Sequence, residues 1–133
     1  MKFTLESTQG ILIHSYQAGE LTLKVPTDNP ARPYEEQRYR SSLILSLNRT
    51  VTDWPVNQPG ELQSHHFEAV WQAQPGIVLL GTGQRLVFPG MDIRQAFALK
   101  GIGFEAMDTS AACRTYNVLA AEGRDVMALL ILD

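Results

Sequence analysis

Two short stretches of this chain hold the side chains best suited to chemistry. One is Gly81-Thr82-Gly83-Gln84-Arg85, and the other is Asp108-Thr109, at the head of the run Met107 to Arg124. Glycines let the backbone come close to a ligand, and Arg85 supplies a cation. The free N–H groups of a helix starting near Thr109 would add positive potential. Gly81, Thr82, Gly83, Arg85, Asp108 and Thr109 thus outline a crevice for a small anion or carboxylate. Two features point the other way. Gly-Thr-Gly has the spacing of neither a Walker loop nor a dinucleotide fingerprint. A capping Asp108 would also compete with an anion for the same N–H groups. A tight strand exit followed by an ordinary helix cap is the plainer reading of the same residues.

Other reactive groups find less support. The sole cysteine, Cys113, lies on the apolar stripe Ala112, Cys113, Tyr116, Leu119 and Ala120, where a thiol acts as a small hydrophobe. No motif links it to His14, His65 or His66, the three histidines. His65-His66 lacks a third ligand at metal spacing, so neither a metal nor another cofactor is implied. Glu35-Glu36 reads as solvated charge rather than a glycosidase pair. Trp54 reads as a plug at the end of a core. The face opposite the apolar stripe carries Ala111, Arg114, Val118 and Ala121. A solvated face is usually richer in Lys and Glu, whereas small residues around one arginine suit a protein contact, self-association included. The alternative is that a hairpin or loop of the same chain covers this face.

The elements that must position these residues follow from patterning. Ile11–Tyr16 and Leu21–Val25 flank Ala18-Gly19-Glu20 as a hairpin. Pro26 to Tyr34 is a proline-rich loop, and Arg38 to Leu47 reads as a third strand centred on Leu43-Ile44-Leu45. Thr52–Pro55 and Asn57–Gly60 are turn material. Ser64 can cap a helix to about Ala73, with Phe67, Val70 and Trp71 as its buried stripe. Ile77–Leu80 is a wholly apolar strand. Asp92 and Gln95 stand at capping-box spacing for a helix carrying Ile93, Ala96 and Phe97, closed by Gly101. Gly103–Ala106 is a strand. A helix then runs from Asp108 or Thr109 to Gly123, and Val126–Leu132 is the last strand. This β-α-β-α-β order calls for right-handed crossovers and parallel neighbours. The expectation is one α/β domain over residues 1–133, three-layered, with a mixed central sheet and an N-terminal antiparallel hairpin. In such a sheet a ligand sits at the carboxyl ends of the strands, where the Gly81–Arg85 and Asp108 loops emerge.

Composition bounds the function classes. The 133 residues are 44% hydrophobic and 19% charged, which is a globular composition. A net charge of -3 with no basic run argues against a nucleic-acid partner. One cysteine excludes an internal disulfide and fits a reducing compartment. Met1 to Ser7 has neither an apolar signal core nor an Arg-rich leader. Val126 to Leu132, the longest apolar run, is too short to span a bilayer. These features read as a cytoplasmic, bacterial protein without direct membrane insertion.

Gly101–Thr109, Ala111–Leu119 and Glu122-Gly123-Arg124 resemble a family of small bacterial and archaeal α/β proteins. Its eukaryotic relatives include mitochondrial respiratory complex I assembly factor 3. The resemblance extends to Gly81-Thr82-Gly83, to Ser42–Leu45 and to Trp54. It implies a three-layer α/β fold with a mixed sheet and carries over no catalytic residues. It also implies a non-catalytic accessory protein acting through partner proteins, such as subunits of a membrane complex. The alternative is a protein or enzyme that takes an anionic metabolite in the Gly81–Arg85 crevice beside Asp108.

Overall fold

The computed structural model describes residues 10–133; the leader reading of Met1–Ser7 lies outside them. Strands β1 (Leu12–Gln17) and β2 (Glu20–Pro26) form the expected hairpin, with an irregularity in β1 between Ile13 and Ser15. A third strand, β3 (Tyr34–Tyr39), pairs antiparallel with β2 and completes a separate three-stranded sheet.

The stretch Arg38–Leu47 is therefore two strands in two sheets, where the sequence reading expects one. The physical reason is a change of periodicity. Tyr34 to Tyr39 is polar and at most half-buried, fit for a sheet that faces solvent on one side. Leu43, Ile44 and Leu45 are buried, and form β4 (Leu43–Ser46) inside the second sheet. Ser42 marks the change. Its buried Oγ accepts the Leu132 N–H at 3.0 Å.

The second sheet has the order β5-β4-β8-β6-β7, with β5 at Arg49–Val51, β6 at Ile77–Gly81, β7 at Gly103–Met107 and β8 at Val126–Leu130. β6 runs parallel to both β7 and β8, whereas β4 is antiparallel to β8 and β5, so the central sheet is mixed. Among the described residues there are three α-helices: α1 (Glu68–Ala73), α2 (Met91–Lys100) and α3 (Thr109–Ala121).

β7 lies on one side of β6 and β8 on the other. Right-handed crossovers consequently place α2 and α3 on opposite faces. Phe67, Val70, Ile93 and Phe97 form one core with Val78, Leu80 and Leu129; Trp54 and Val56 close its end. On the other face, Ala112, Cys113, Tyr116 and Ala120 of α3 share a core with Leu79, Ala128 and Leu130 of the central sheet. Ile13, Leu21 and Leu23 of the three-stranded sheet join the same core. The hairpin sheet thus covers α3 rather than extending the central sheet.

Local caps differ from expectation in two places. A 3-10 turn over Ser64–Phe67 precedes α1, and its cap is Gln63, whose N–H donates to His66 Nδ1 at 3.0 Å. α2 is capped by Gly90 rather than Asp92, whose carboxylate turns back toward Gly90 from the first turn.

Candidate functional site

Parallel pairing aligns Gly81 with Met107, so the loops leaving β6 and β7 emerge side by side on one rim of the sheet. They are tied together directly. The Thr82 N–H donates to the Met107 carbonyl at 2.9 Å, and the Thr109 N–H donates to the Gly83 carbonyl at 2.8 Å. The Thr109 hydroxyl accepts from the Gly83 N–H at 2.8 Å and donates to the Ile131 carbonyl at 2.8 Å. Thr109 is completely buried.

The two glycines serve this contact. A Cβ on Gly81 would stand 2.9 Å from Thr109 Oγ1 and 3.0 Å from Thr109 Cα, so only a glycine lets α3 begin this close to β6. Gly83 has φ +96° and sits beneath the Asp133 carboxylate, where a Cβ would lie 2.4 Å from Oδ2. Asp108 is the N-cap of α3. Its Oδ1 accepts the Ala111 N–H at 2.8 Å, and its carbonyl accepts that of Ala112 at 2.9 Å. The sequence-expected crevice residues Gly81, Thr82, Gly83, Asp108 and Thr109 are thus brought together; Gly83 and Thr109 bond to each other, and the polar groups of the others are engaged with Arg85, Met107, Ala111, Ala112 and Ile131.

Arg85 stands apart from this knot. The Thr82 hydroxyl donates to the Arg85 carbonyl at 2.5 Å and accepts the Val87 N–H at 3.1 Å, which holds the loop in place. The Arg85 side chain is exposed and makes no ion pair among the described residues. It borders a cleft of about 560 Å³ at the ends of β6 and β8, shared with Asn57, Gln58, Gln84 and Asp133. Sequence reasoning did not find Asn57, Gln58 or Asp133. Turn composition marks Asn57–Gly60 as a loop but carries no sign that it returns to this rim.

The polar residues of α3 divide sharply. Asn117 is fixed by the hairpin: its Oδ1 accepts the Ile13 N–H at 2.9 Å and its Nδ2 donates to the Ile13 carbonyl at 2.7 Å. The amide thereby acts like one residue of a neighbouring strand on the edge of β1. The Tyr116 hydroxyl donates to the Ile11 carbonyl at 2.8 Å, and burial raises its pKa above the ordinary phenol range. Thr115 donates back to the Ala111 carbonyl at 2.9 Å. Arg114 reaches only Ser110 Oγ, at 2.9 Å, and stays exposed. Val118 is 57% exposed, Ala121 is exposed and Ala111 is half-buried. The three-stranded sheet therefore does not cover this face.

Burial sets the protonation of the lone thiol and of one histidine. Burial pushes the Cys113 thiol up to about 12; Arg114 pulls it down in part and Asp108 adds to the rise. His66 is held below its ordinary pKa, first by burial and then by His65, while Glu61 opposes the fall. Among the described residues no group of three or more His, Cys, Asp or Glu could hold a metal ion. No helix among them is long and apolar enough to cross a membrane.

The family model described as "Protein of unknown function (DUF498/DUF598)" matches residues 13–131. The chain belongs to this family. DUF498/DUF598 relatives include the 13 kDa major membrane protein of Francisella tularensis subsp. holarctica, 29% identical over 70% of this chain and 76% of the relative. NADH dehydrogenase (ubiquinone) 1 alpha subcomplex assembly factor 3 of Rattus norvegicus is 36% identical over 64% of this chain. The matched stretch spans only 47% of that assembly factor's length. The NMR structure of a Xanthomonas campestris protein shares the fold with a TM-score of 0.76 at 36% identity, over 95% of this chain and 87% of that one. The resemblance inferred from the α3 motif and the mixed α/β fold both hold.

Proposed function

We propose that this DUF498/DUF598 protein is a non-catalytic accessory factor. It assists the biogenesis of a membrane or respiratory complex by binding a protein partner through the outward face of α3, and works from the bacterial cytoplasm. The observation that carries this reading is the division of polar residues on α3. Asp108, Thr109, Thr115 and Asn117 are all engaged inside the fold. Arg114 is left exposed beside Val118, Ala121 and the edge of Ala111. An arginine among small apolar residues is an economical hot spot, since it gains a bidentate contact while little else must be desolvated. Kinship with an assembly factor supplies the class of partner.

The test is affinity capture from native cells with the wild-type chain and Arg114→Glu, read by quantitative mass spectrometry. Subunits or assembly proteins of a membrane complex should be enriched by the wild type and lost with the variant, while thermal unfolding is unchanged. Equal recovery by both proteins would refute the reading.

The cleft beside Arg85 supports a second reading, an anionic-metabolite site at the rim formed by Gly81, Thr82, Gly83, Asp108 and Thr109. Arg85 is the only cation lining the cleft, which it shares with Thr82, Asn57, Gln58, Gln84 and the carboxylate of Asp133. Thermal-shift screening of anionic metabolites should then find a stabilising ligand whose effect disappears in Arg85→Ala. A clean negative across a broad set removes this reading.

A further inference from the structure

Among the described residues β7 is the last strand of the central sheet on its side and pairs only with β6. The Gly103 N–H donates to the Gly76 carbonyl, and the Met107 carbonyl accepts the Thr82 N–H, at 3.1 and 2.9 Å. Gly103, Glu105 and Met107 therefore point their backbone groups toward β6. Strand alternation leaves the N–H and C=O groups of Phe104 and Ala106 on the open edge.

Directly beside that edge runs a groove of about 380 Å³ between α2 and β7, lined by Met91, Arg94, Gln95, Ala98, Ile102 and Phe104. It is largely apolar, and Met91 at its head is 59% exposed. In the loop before α2, Leu86, Val87 and Phe88 are also exposed, Phe88 by 64%. Arg94 is the groove's only cation. Among the described residues its guanidinium donates only to Met91 Sδ, at 3.8 Å, and has no carboxylate partner.

We propose that the open edge of β7 and the adjoining groove form a docking site for an extended segment of a partner polypeptide, one that alternates apolar side chains and offers a carboxylate to Arg94. A strand added here would lie about 4.8 Å from β7. It would bond to Phe104 and Ala106 and turn every second side chain into the groove, over Ile102 and Phe104. Its carboxylate would meet the unpaired guanidinium.

A second copy of the chain is a poorer occupant. Antiparallel pairing of two β7 strands through Phe104 and Ala106 centres on Glu105 and sets the two glutamates directly opposite each other, which is destabilising. A bilayer is poorer still, because lipid tails cannot satisfy the open backbone groups. This site is separate from the α3 face. Peptide binding is measured directly on the chain, so its failure leaves the Arg114 reading standing, and the reverse also holds.

The experiment selects binders from a phage-displayed decapeptide library against the whole chain and titrates the best peptide into nitrogen-15-labelled protein. Selected sequences should alternate apolar residues with an acid in fixed register, and the amide signals of Phe104 and Ala106 should shift and gain protection from exchange. Arg94→Glu should weaken the peptide at least tenfold and favour a counterpart with lysine in place of the acid. Ala106→Pro, tolerable on an edge strand, should abolish binding; if it fails to fold, Arg94→Glu alone decides. Selection of no sequence, or of peptides indifferent to Arg94→Glu, overturns the proposal. So does self-association abolished by Ala106→Pro, which assigns the edge to a second copy. Sedimentation with phosphatidylglycerol vesicles that Phe88→Ser abolishes also overturns it, by assigning the apolar surface to a membrane.

Discussion

Cys113 and Gly83 are both held by what packs against them. Cys113 is 5% exposed, and burial raises its thiol from 9.0 to about 12. Alkylation by iodoacetamide in the folded protein should then stay slow from pH 8 to pH 10, where an ordinary thiol accelerates as it ionises. The sign for stability follows. The folded state holds the proton more tightly than the unfolded chain, so this contribution is complete below pH 9 and is lost as pH climbs toward 12. Its slope is about 1.4 kcal/mol per pH unit. Rapid labelling at pH 9 without denaturant would contradict this assignment. Gly83 differs from Gly19. Both have positive φ, but a Cβ at Gly19 meets nothing within 4 Å, whereas at Gly83 it strikes the Asp133 carboxylate. Gly19→Ala should cost about 1 kcal/mol from backbone strain alone, and Gly83→Ala at least twice that. Urea denaturation compares them, and equal costs would show that Asp133 moves aside freely. At this scale the sequence reading identified Thr82 and Thr109 as neighbours on one rim. It did not find that each hydroxyl is satisfied by main-chain groups, Thr109 by Gly83 and Ile131 and Thr82 by Arg85, Met107 and Val87, because a hydroxyl's partner depends on packing that residue type does not encode.

At the scale of elements, α3 is the piece that binds the hairpin to the rest. Its Asn117 amide makes both of its hydrogen bonds to the main chain of Ile13. Asn117→Ala leaves a partly buried N–H and C=O unpaired on β1. At about 1–1.5 kcal/mol for each lost partner, the expected loss is about 2–3 kcal/mol, with faster hydrogen exchange at Ile13. Asn117→Asp keeps the acceptor and loses the donor, so it should fall between. Exchange at Ile13 unchanged by Asn117→Ala would refute the strand-like role of this amide. The elements differ in legibility for physical reasons. β6 and β8 are legible as short unbroken apolar runs, α2 and α3 through apolar residues at helical spacing, and β7 as the short stretch between two helices, each with turn or cap residues at its ends. Arg38–Leu47 was misread because the apolar centre Leu43-Ile44-Leu45 dominates a stretch whose polar half belongs to another sheet. The cap of α2 was misplaced by two residues, since Gly90 leaves no side-chain signal and Asp92 resembles one.

At the scale of the whole molecule, the two sheets meet through a single core. Ile13, Leu21 and Leu23 pack with α3 and with Leu79, Ala128 and Leu130, whereas both tryptophans, Trp54 and Trp71, belong with the core on the other face of the central sheet. Tryptophan fluorescence therefore reports one face of the central sheet, whereas far-UV circular dichroism reports the backbone of the whole molecule. The expectation of one folding unit makes a specific claim: damage in the hairpin sheet must reach the tryptophans. Leu23→Ala removes a fully buried side chain. It should cost about 2–5 kcal/mol, set by how far the cavity collapses. Since the hairpin sheet shares its core with α3 and the central sheet, Trp fluorescence and far-UV circular dichroism should shift together, by the same change in urea midpoint. Two separated transitions, with fluorescence at its wild-type midpoint, would show that the hairpin sheet melts on its own. The central sheet and its helices would then be the folding unit. The Arg114 face would lose the hairpin sheet that packs against α3 in that partial state, whereas β7 pairs with the central sheet and keeps its neighbour. The same pair of measurements therefore shows which of the two proposed contact surfaces survives partial unfolding.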